Sequence, residues 1–164
     1  MTDIVEMHYG HSEKREPLPY TWSGLEDIYL CSGYDRIPVD DGTEDIVIHD
    51  MDGLHRAIGH YLVTEKKTLG GKEVRFLRRQ MDLTQADLGD LLRVTDQSVA
   101  RWEKGENSFK GPADLLLRAV YLAHLSEKVD VRELAKELRA IDSPVSHHAI
   151  FSRRQKDGWQ LNAA

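Results

Sequence analysis

Leu83-Thr84-Gln85-Ala86-Asp87-Leu88-Gly89-Asp90-Leu91-Leu92-Arg93-Val94-Thr95-Asp96-Gln97-Ser98-Val99-Ala100-Arg101-Trp102-Glu103-Lys104-Gly105 reads as two short helices separated by a three-residue link. Thr84 can cap the orphan amides of a helix over 85–92, and Asp87 stands three residues on, where a capping-box acid belongs. Thr95 caps a second helix over 96–104, and Gly105 stops it. Gly89, in mid-helix, costs about 1 kcal/mol against alanine, which a close crossing by the second helix would explain. Val99 and Trp102 should face Leu88, Leu91 and Leu92 and bury, leaving Asp96, Gln97, Ala100 and Arg101 as a polar stripe on the opposite side. Two helices joined in this way form the unit whose second helix enters a DNA major groove. Arginine pairs there with guanine and glutamine with adenine, so Gln97 and Arg101 are the principal candidates for base readout.

Working outward, Val74, Leu77 and Met81 recur at helical spacing over 72–81, with Arg75, Arg78 and Arg79 on other faces, either solvated or on phosphates. Pro112 suits the first position of a helix over 112–125, and Val131, Leu134, Ala135, Leu138 and Ile141 form one stripe over 131–141, ended by Pro144. The expected fold is mainly α: a five-helix domain over 70–142, preceded by a small β/α segment over 20–69. In that segment, Ile28–Cys31 and Ile46–Ile48 are expected to pair as a β-hairpin across the turns at Ser32-Gly33 and Asp40-Asp41-Gly42. A helix over 51–66 follows, with Asp50 and Asp52 as N-cap and first-turn acid. Residues 1–19 read as a flexible lead-in and 143–164 as an irregular tail.

Charge divides the 164 residues unevenly. Residues 1–69 hold six Lys or Arg against fourteen Asp or Glu, whereas 70–110 and 111–164 each hold eight against seven. An acidic half joined to a mildly basic one implies two different partners, because phosphate backbones repel the first and attract clustered Arg and Lys. No apolar run approaches the roughly 20 residues that span a bilayer. Met1–Gly10 lacks the basic start and apolar stretch of a secretory signal, which points to the cytoplasm. Cys31 is the single cysteine and reads as a packed thiol. His55 and His60 are five apart and lie well round a helix from each other, so no metal and no cofactor is expected. Neither a phosphate-binding glycine loop nor a nucleophile elbow is present, and the chain does not read as an enzyme.

Leu83–Leu88 followed by Val94–Gly105 resembles the Xre/Cro/CI helix-turn-helix family. That resemblance assigns base readout to Gln97, Arg101 and Asp96, and backbone contacts to Gln85, Thr95, Ser98 and the loop from Lys104 to Lys110. Asp96 could instead serve as a first-turn acid. Arg93 occupies a turn position where the family usually has glycine; a left-handed backbone would cost it on the order of 1 kcal/mol, which implies a different turn geometry. A narrower resemblance, carried by Tyr20, Ser23-Gly24-Leu25, Tyr29-Leu30, Leu54-His55, Glu73–Arg78 and Ala100–Gly105, is to MqsA-type antitoxins, dimeric autorepressors paired with a toxin. With Cys31 alone, the zinc site of that family is absent.

Three functions follow: a toxin-neutralising autorepressor, a stand-alone regulator sensing a ligand or protein through 20–69, and a scaffold whose helix-turn-helix binds protein. A DNA reader of this size is expected to be a homodimer on a palindromic operator. Its dimer contacts would come from the helix at 131–141 or the one at 51–66.

Overall fold

The computed structural model describes residues 16–141 and 148–162. The lead-in expected over 1–19 lies outside the described residues as far as 15, as does the stop at Pro144; its end is not flexible chain, since Leu18–Pro19 pairs as a strand with Tyr29–Leu30.

The helices follow their local signals. Asp50 caps α1 (Met51–Thr64) by accepting from the Gly53 amide at 3.0 Å. α2 (Gly71–Gln80), α3 (Gln85–Leu92), α4 (Asp96–Glu103), α5 (Pro112–His124) and α6 (Val131–Ala140) follow. Pro112 opens α5, and Asp130 caps α6 through the Arg132 and Glu133 amides.

The strands depart from expectation in two places. Ile46–Ile48 does not pair with Ile28–Cys31. β3 (Tyr34–Pro38) pairs with β4 (Glu44–Ile48) around the Asp40–Gly42 turn, while β2 (Ile28–Leu30) joins another sheet. Asp35, Arg36 and Pro38 disguise β3 as a loop, yet its antiparallel register with β4 is unbroken. Second, the residues expected to form an irregular tail contain β5 (Ala149–Arg154) and β6 (Gly158–Leu161), joined by a turn closing on Asp157-Gly158. With β1 (Leu18–Pro19) they build a four-stranded sheet in the order β1-β2-β5-β6, in which β2 and β5 run parallel. The signal was present: Asp-Gly between Ala149-Ile150-Phe151 and Trp159-Gln160-Leu161 is hairpin chemistry.

α1 is the spine of the fold. It buries Leu54, Ile58 and Leu62, a 3.6-period stripe, together with Val63, and packs against β6 and against α2, α5 and α6. A side chain at Gly59 would overlap the Tyr121 hydroxyl of α5, so glycine permits this crossing. One core therefore runs from Tyr20 and Leu30 through Leu54 and Val74 to Leu117 and Phe151. The apolar face of α1, a candidate for dimer contacts, is consumed within the chain.

Arg118 fixes the junction of α1 and α5. It is fully buried, and its guanidinium donates to the carbonyls of Leu62 (3.2 Å) and Val63 (3.1 Å), in the last turn of α1, where helix carbonyls lack intrahelical partners, and of Lys66 (2.8 Å) and Lys67 (3.1 Å), just beyond it. Its Nε donates to both Asp114 oxygens at 3.1 Å. Burial lifts the Asp114 carboxyl above its usual range and lowers the Arg118 guanidinium from its own, and each charge opposes the shift of the other.

His55 joins the N-terminal segment to the helices. Gln80 Nε2 lies 3.2 Å from Nδ1, so Nε2 carries the proton and donates to the Tyr20 oxygen at 2.7 Å, while the Tyr20 hydroxyl donates to Met51 sulfur. Burial lowers the pKa of His55, with Asp52 partly opposing. The unfolded chain then takes up this proton first as pH falls below about 6.5, so stability should decline through that range and be regained above it. Denaturant titrations from pH 5 to 8 should show this slope, and His55→Gln should flatten it.

Candidate nucleic-acid interface

α3 and α4 are set by their caps. Thr84 Oγ1 accepts from the Asp87 amide at 3.1 Å and Asp87 Oδ2 accepts from the Thr84 amide at 2.8 Å, a closed capping box. The Thr84 bonds hold the Asp87 carboxyl below its usual range. Thr95 Oγ1 accepts from the Ser98 amide at 3.1 Å, and the two hydroxyls lie 3.0 Å apart. Between the helices, a Cβ at Gly89 would come within 2.9 Å of the Val94 carbonyl oxygen, so glycine admits the link itself rather than the body of α4. Arg93 adopts φ 61° and ψ 41°. The left-handed turn is kept with arginine in it, against the expectation of a different geometry, and the Val94 amide closes it on the Gly89 carbonyl at 2.9 Å. Arg93→Gly should remove strain, leaving stability unchanged or up to about 1 kcal/mol higher in denaturant titration.

The unit is locked to α2 by a polar cluster. Arg78 Nε and Nη2 donate to the two Glu103 oxygens at 2.6 and 3.1 Å, and its Nη1 donates to the Leu83 carbonyl at 2.7 Å. Gln85 Nε2 donates to Glu103 Oε2 at 2.9 Å. Burial alone would push the Glu103 carboxyl up, but the bonds from Arg78 and Gln85 outweigh it and hold the group below its usual range. Arg78 is thus a half-buried tether and neither of the roles considered for it, whereas Arg75 and Arg79 are exposed on α2. Nothing in the sequence pairs Arg78 with a glutamate 25 residues away.

Val99 is fully buried and Trp102 half-buried, edge-on to Phe109 with ring centroids 4.9 Å apart. Phe109 is buried and pins the loop after α4, leaving Lys104, Asn107, Ser108 and Lys110 exposed.

The structure sorts the sequence-derived site residues by whether they are already engaged. Gln97 and Arg101 are exposed on α4, and neither side chain has a hydrogen-bond partner among the described residues. Asp96 accepts from the Gln97 amide at 2.8 Å, as a first-turn acid does. Thr95 and Ser98 cap α4, with Thr95 exposed and Ser98 half-buried. Gln85 sits at the start of α3, with its amide held by Glu103. Arg75 and Arg79 of α2, Arg93 of the link, and Lys104 and Lys110 of the loop after α4 are also exposed.

The comparisons with known proteins bear on this unit alone. A helix-turn-helix family model matches residues 74–111, from within α2 to the residue before α5. No curated protein and no solved structure matches the chain, so the antitoxin resemblance has no support from these comparisons. Among the described residues no helix is long and apolar enough to cross a membrane. The matched residues are those that build α2 to α4 and the loop before α5, and it is over this stretch that the chain is similar to a helix-turn-helix.

Proposed function

We propose that the chain is a sequence-specific, duplex-DNA-binding transcription regulator that acts in the cytoplasm as a homodimer on a palindromic operator, without catalysis. The observation that carries this reading is the state of α4: among the described residues Gln97 and Arg101 stand exposed with no side-chain partner, while Arg78, Gln85, Glu103, Thr95 and Ser98 are committed to holding the helix in place. They read base edges. Gln85, Thr95, Ser98, Lys104 and Lys110 contact the backbone on either side, and Asp96 orients the start of α4 more than it reads a base.

Dimerisation follows from scale, since one recognition helix reads too few bases and a two-fold places two of them about 34 Å apart. With the apolar face of α1 buried, the exposed Leu116 of α5 and Val131 of α6 offer apolar surface on the helices for this contact. Residues 20–69, acidic and removed from α4, serve a protein partner, as the N-terminal part of an antitoxin serves its toxin.

The test is binding to duplex DNA from upstream of the chain's own gene. Log affinity should fall steeply with log salt, by about 0.9 per phosphate contact, and a half-site should bind far more weakly than a palindrome. Arg101→Ala should cost about 1–3 kcal/mol and relax specificity at one base pair. A flat salt dependence would remove the DNA reading, and a loss equal on every sequence would remove Arg101 from base readout.

A further inference from the structure

Of the six large apolar side chains that are exposed among the described residues, Trp22, Ile37, Val39 and Val47 lie on or beside the β3–β4 hairpin. Trp22 is 60% exposed, more than any other of the six. Among the described residues this hairpin is a sheet of two strands, so each strand has an open edge. The bonds from the Val39 amide to the Thr43 carbonyl (2.9 Å) and from the His49 amide to the Gly33 carbonyl (2.8 Å) frame the ladder. By the alternation of an antiparallel pair, Asp45 and Val47 bond inward, while Glu44, Ile46 and Ile48 turn their N–H and C=O groups outward. On β3 the outward residues are Tyr34, Arg36 and Pro38, and Pro38 has no N–H to offer.

Open edges are normally guarded by lysine, proline, a bulge or a covering element. Ile46-Val47-Ile48 has no guard within it, and Ile46 and Ile48 also line an open groove with Leu18, Tyr20 and Trp22. Charge identifies the occupant. From 33 to 50 the chain carries Asp35, Asp40, Asp41, Glu44, Asp45 and Asp50 against Arg36 alone. Arg36 is itself bound to Glu44 at 3.0 Å. A second copy would bring acids against acids, and nucleic acid would be repelled. A basic strand would be steered in and its lysines or arginines met on arrival.

We propose that the outer edge of β4 is a docking site for an extended, Lys- or Arg-rich segment of a partner protein, which adds to the hairpin as a third strand with apolar side chains against Trp22, Ile46 and Ile48. Main-chain bonds to Ile46 and Ile48 give affinity, and the acidic surround gives selectivity. The proposal rests on the reading that residues 20–69 serve a protein partner, and is independent of the DNA interface.

The test uses the full chain and an acetylated octapeptide of alternating Lys and Val. Saturable binding is expected, with amide shifts in two-dimensional NMR confined to residues 44–48 and the Trp22 indole, and at least tenfold weaker binding of the Glu-Val counterpart. Methylating the peptide's amide nitrogens on one edge should weaken binding at least tenfold without touching the protein. Ile46→Lys should do the same while duplex-DNA binding stays unchanged, which separates this site from the operator reading. Equal binding of the methylated peptide, shifts confined to α4, or absence of binding would overturn the proposal. So would a concentration-dependent dimer that Ile46→Lys abolishes, since the edge would then pair copies of this chain.

Discussion

Arg118→Met is expected to lower the free energy of unfolding by about 3–5 kcal/mol, because it leaves Asp114 as an uncompensated charge in a largely buried position. Urea titration followed by circular dichroism measures it. The loss has two sources, and a second variant divides them. In Arg118→Met/Asp114→Leu no buried charge remains, and replacing an ion pair by apolar side chains of similar size is often neutral. Here the carbonyls of Leu62, Val63, Lys66 and Lys67 still lose their donor, so only part of the stability should return. Full recovery would mean that these carbonyls find water at no cost and that Arg118 does not secure the end of α1. The consequence reaches the DNA site, since α1 packs on α2 as well as α5, and α2 holds α4 through Arg78 and Glu103.

Arg118 also shows where sequence reading stops. The five helices from Gly71 to Ala140 were legible because their signals are local: Thr84 with Asp87, Thr95 with Ser98, Pro112 and Gly105 all act within a turn of the boundary they set. Gln97 and Arg101 were legible for the same reason, as the face of α4 opposite Val99. Arg118 gave no such signal. It sits among Leu115, Leu117 and Ala119, and although Asp114 is one turn away, the four carbonyls it binds lie more than 50 residues earlier in the chain. The sheet is a stronger case. β2 and β5 pair in parallel across some 120 residues, a contact that no local propensity encodes. The Asp157-Gly158 turn marks Ala149-Ile150-Phe151 as half of a local hairpin, but not as the partner of β2. β3 was hidden differently, because apart from Tyr34 its residues are exposed, and a strand that buries so little need not alternate apolar and polar residues.

The tail is a structural element, and Trp159→Ala measures how much depends on it. Trp159 is 7% exposed on β6, and its ring lies over Gly33, where any Cβ would overlap it. Its indole N–H donates to the carbonyls of His49 and Asp50 at 2.9 and 3.0 Å, at the residues that start α1. Truncation to alanine should cost about 3–5 kcal/mol, a large share of the roughly 5–15 kcal/mol that holds a typical domain together. For a chain of this size the midpoint of thermal unfolding should fall by roughly 6–20 °C. Trp159→Phe keeps most of the apolar contact and loses the two bonds, so it should cost much less, nearer 1–3 kcal/mol. Below its midpoint the alanine variant should still bind operator DNA with near-native affinity, because β6 packs chiefly on β5 and α1, whereas α4 is held mainly by α2 and α3. Unchanged unfolding would show β5–β6 to be a dispensable addition to the sheet. Operator binding lost in step with the 149–161 strands, at temperatures where the helices persist, would instead make the C-terminal hairpin part of the device that positions α4.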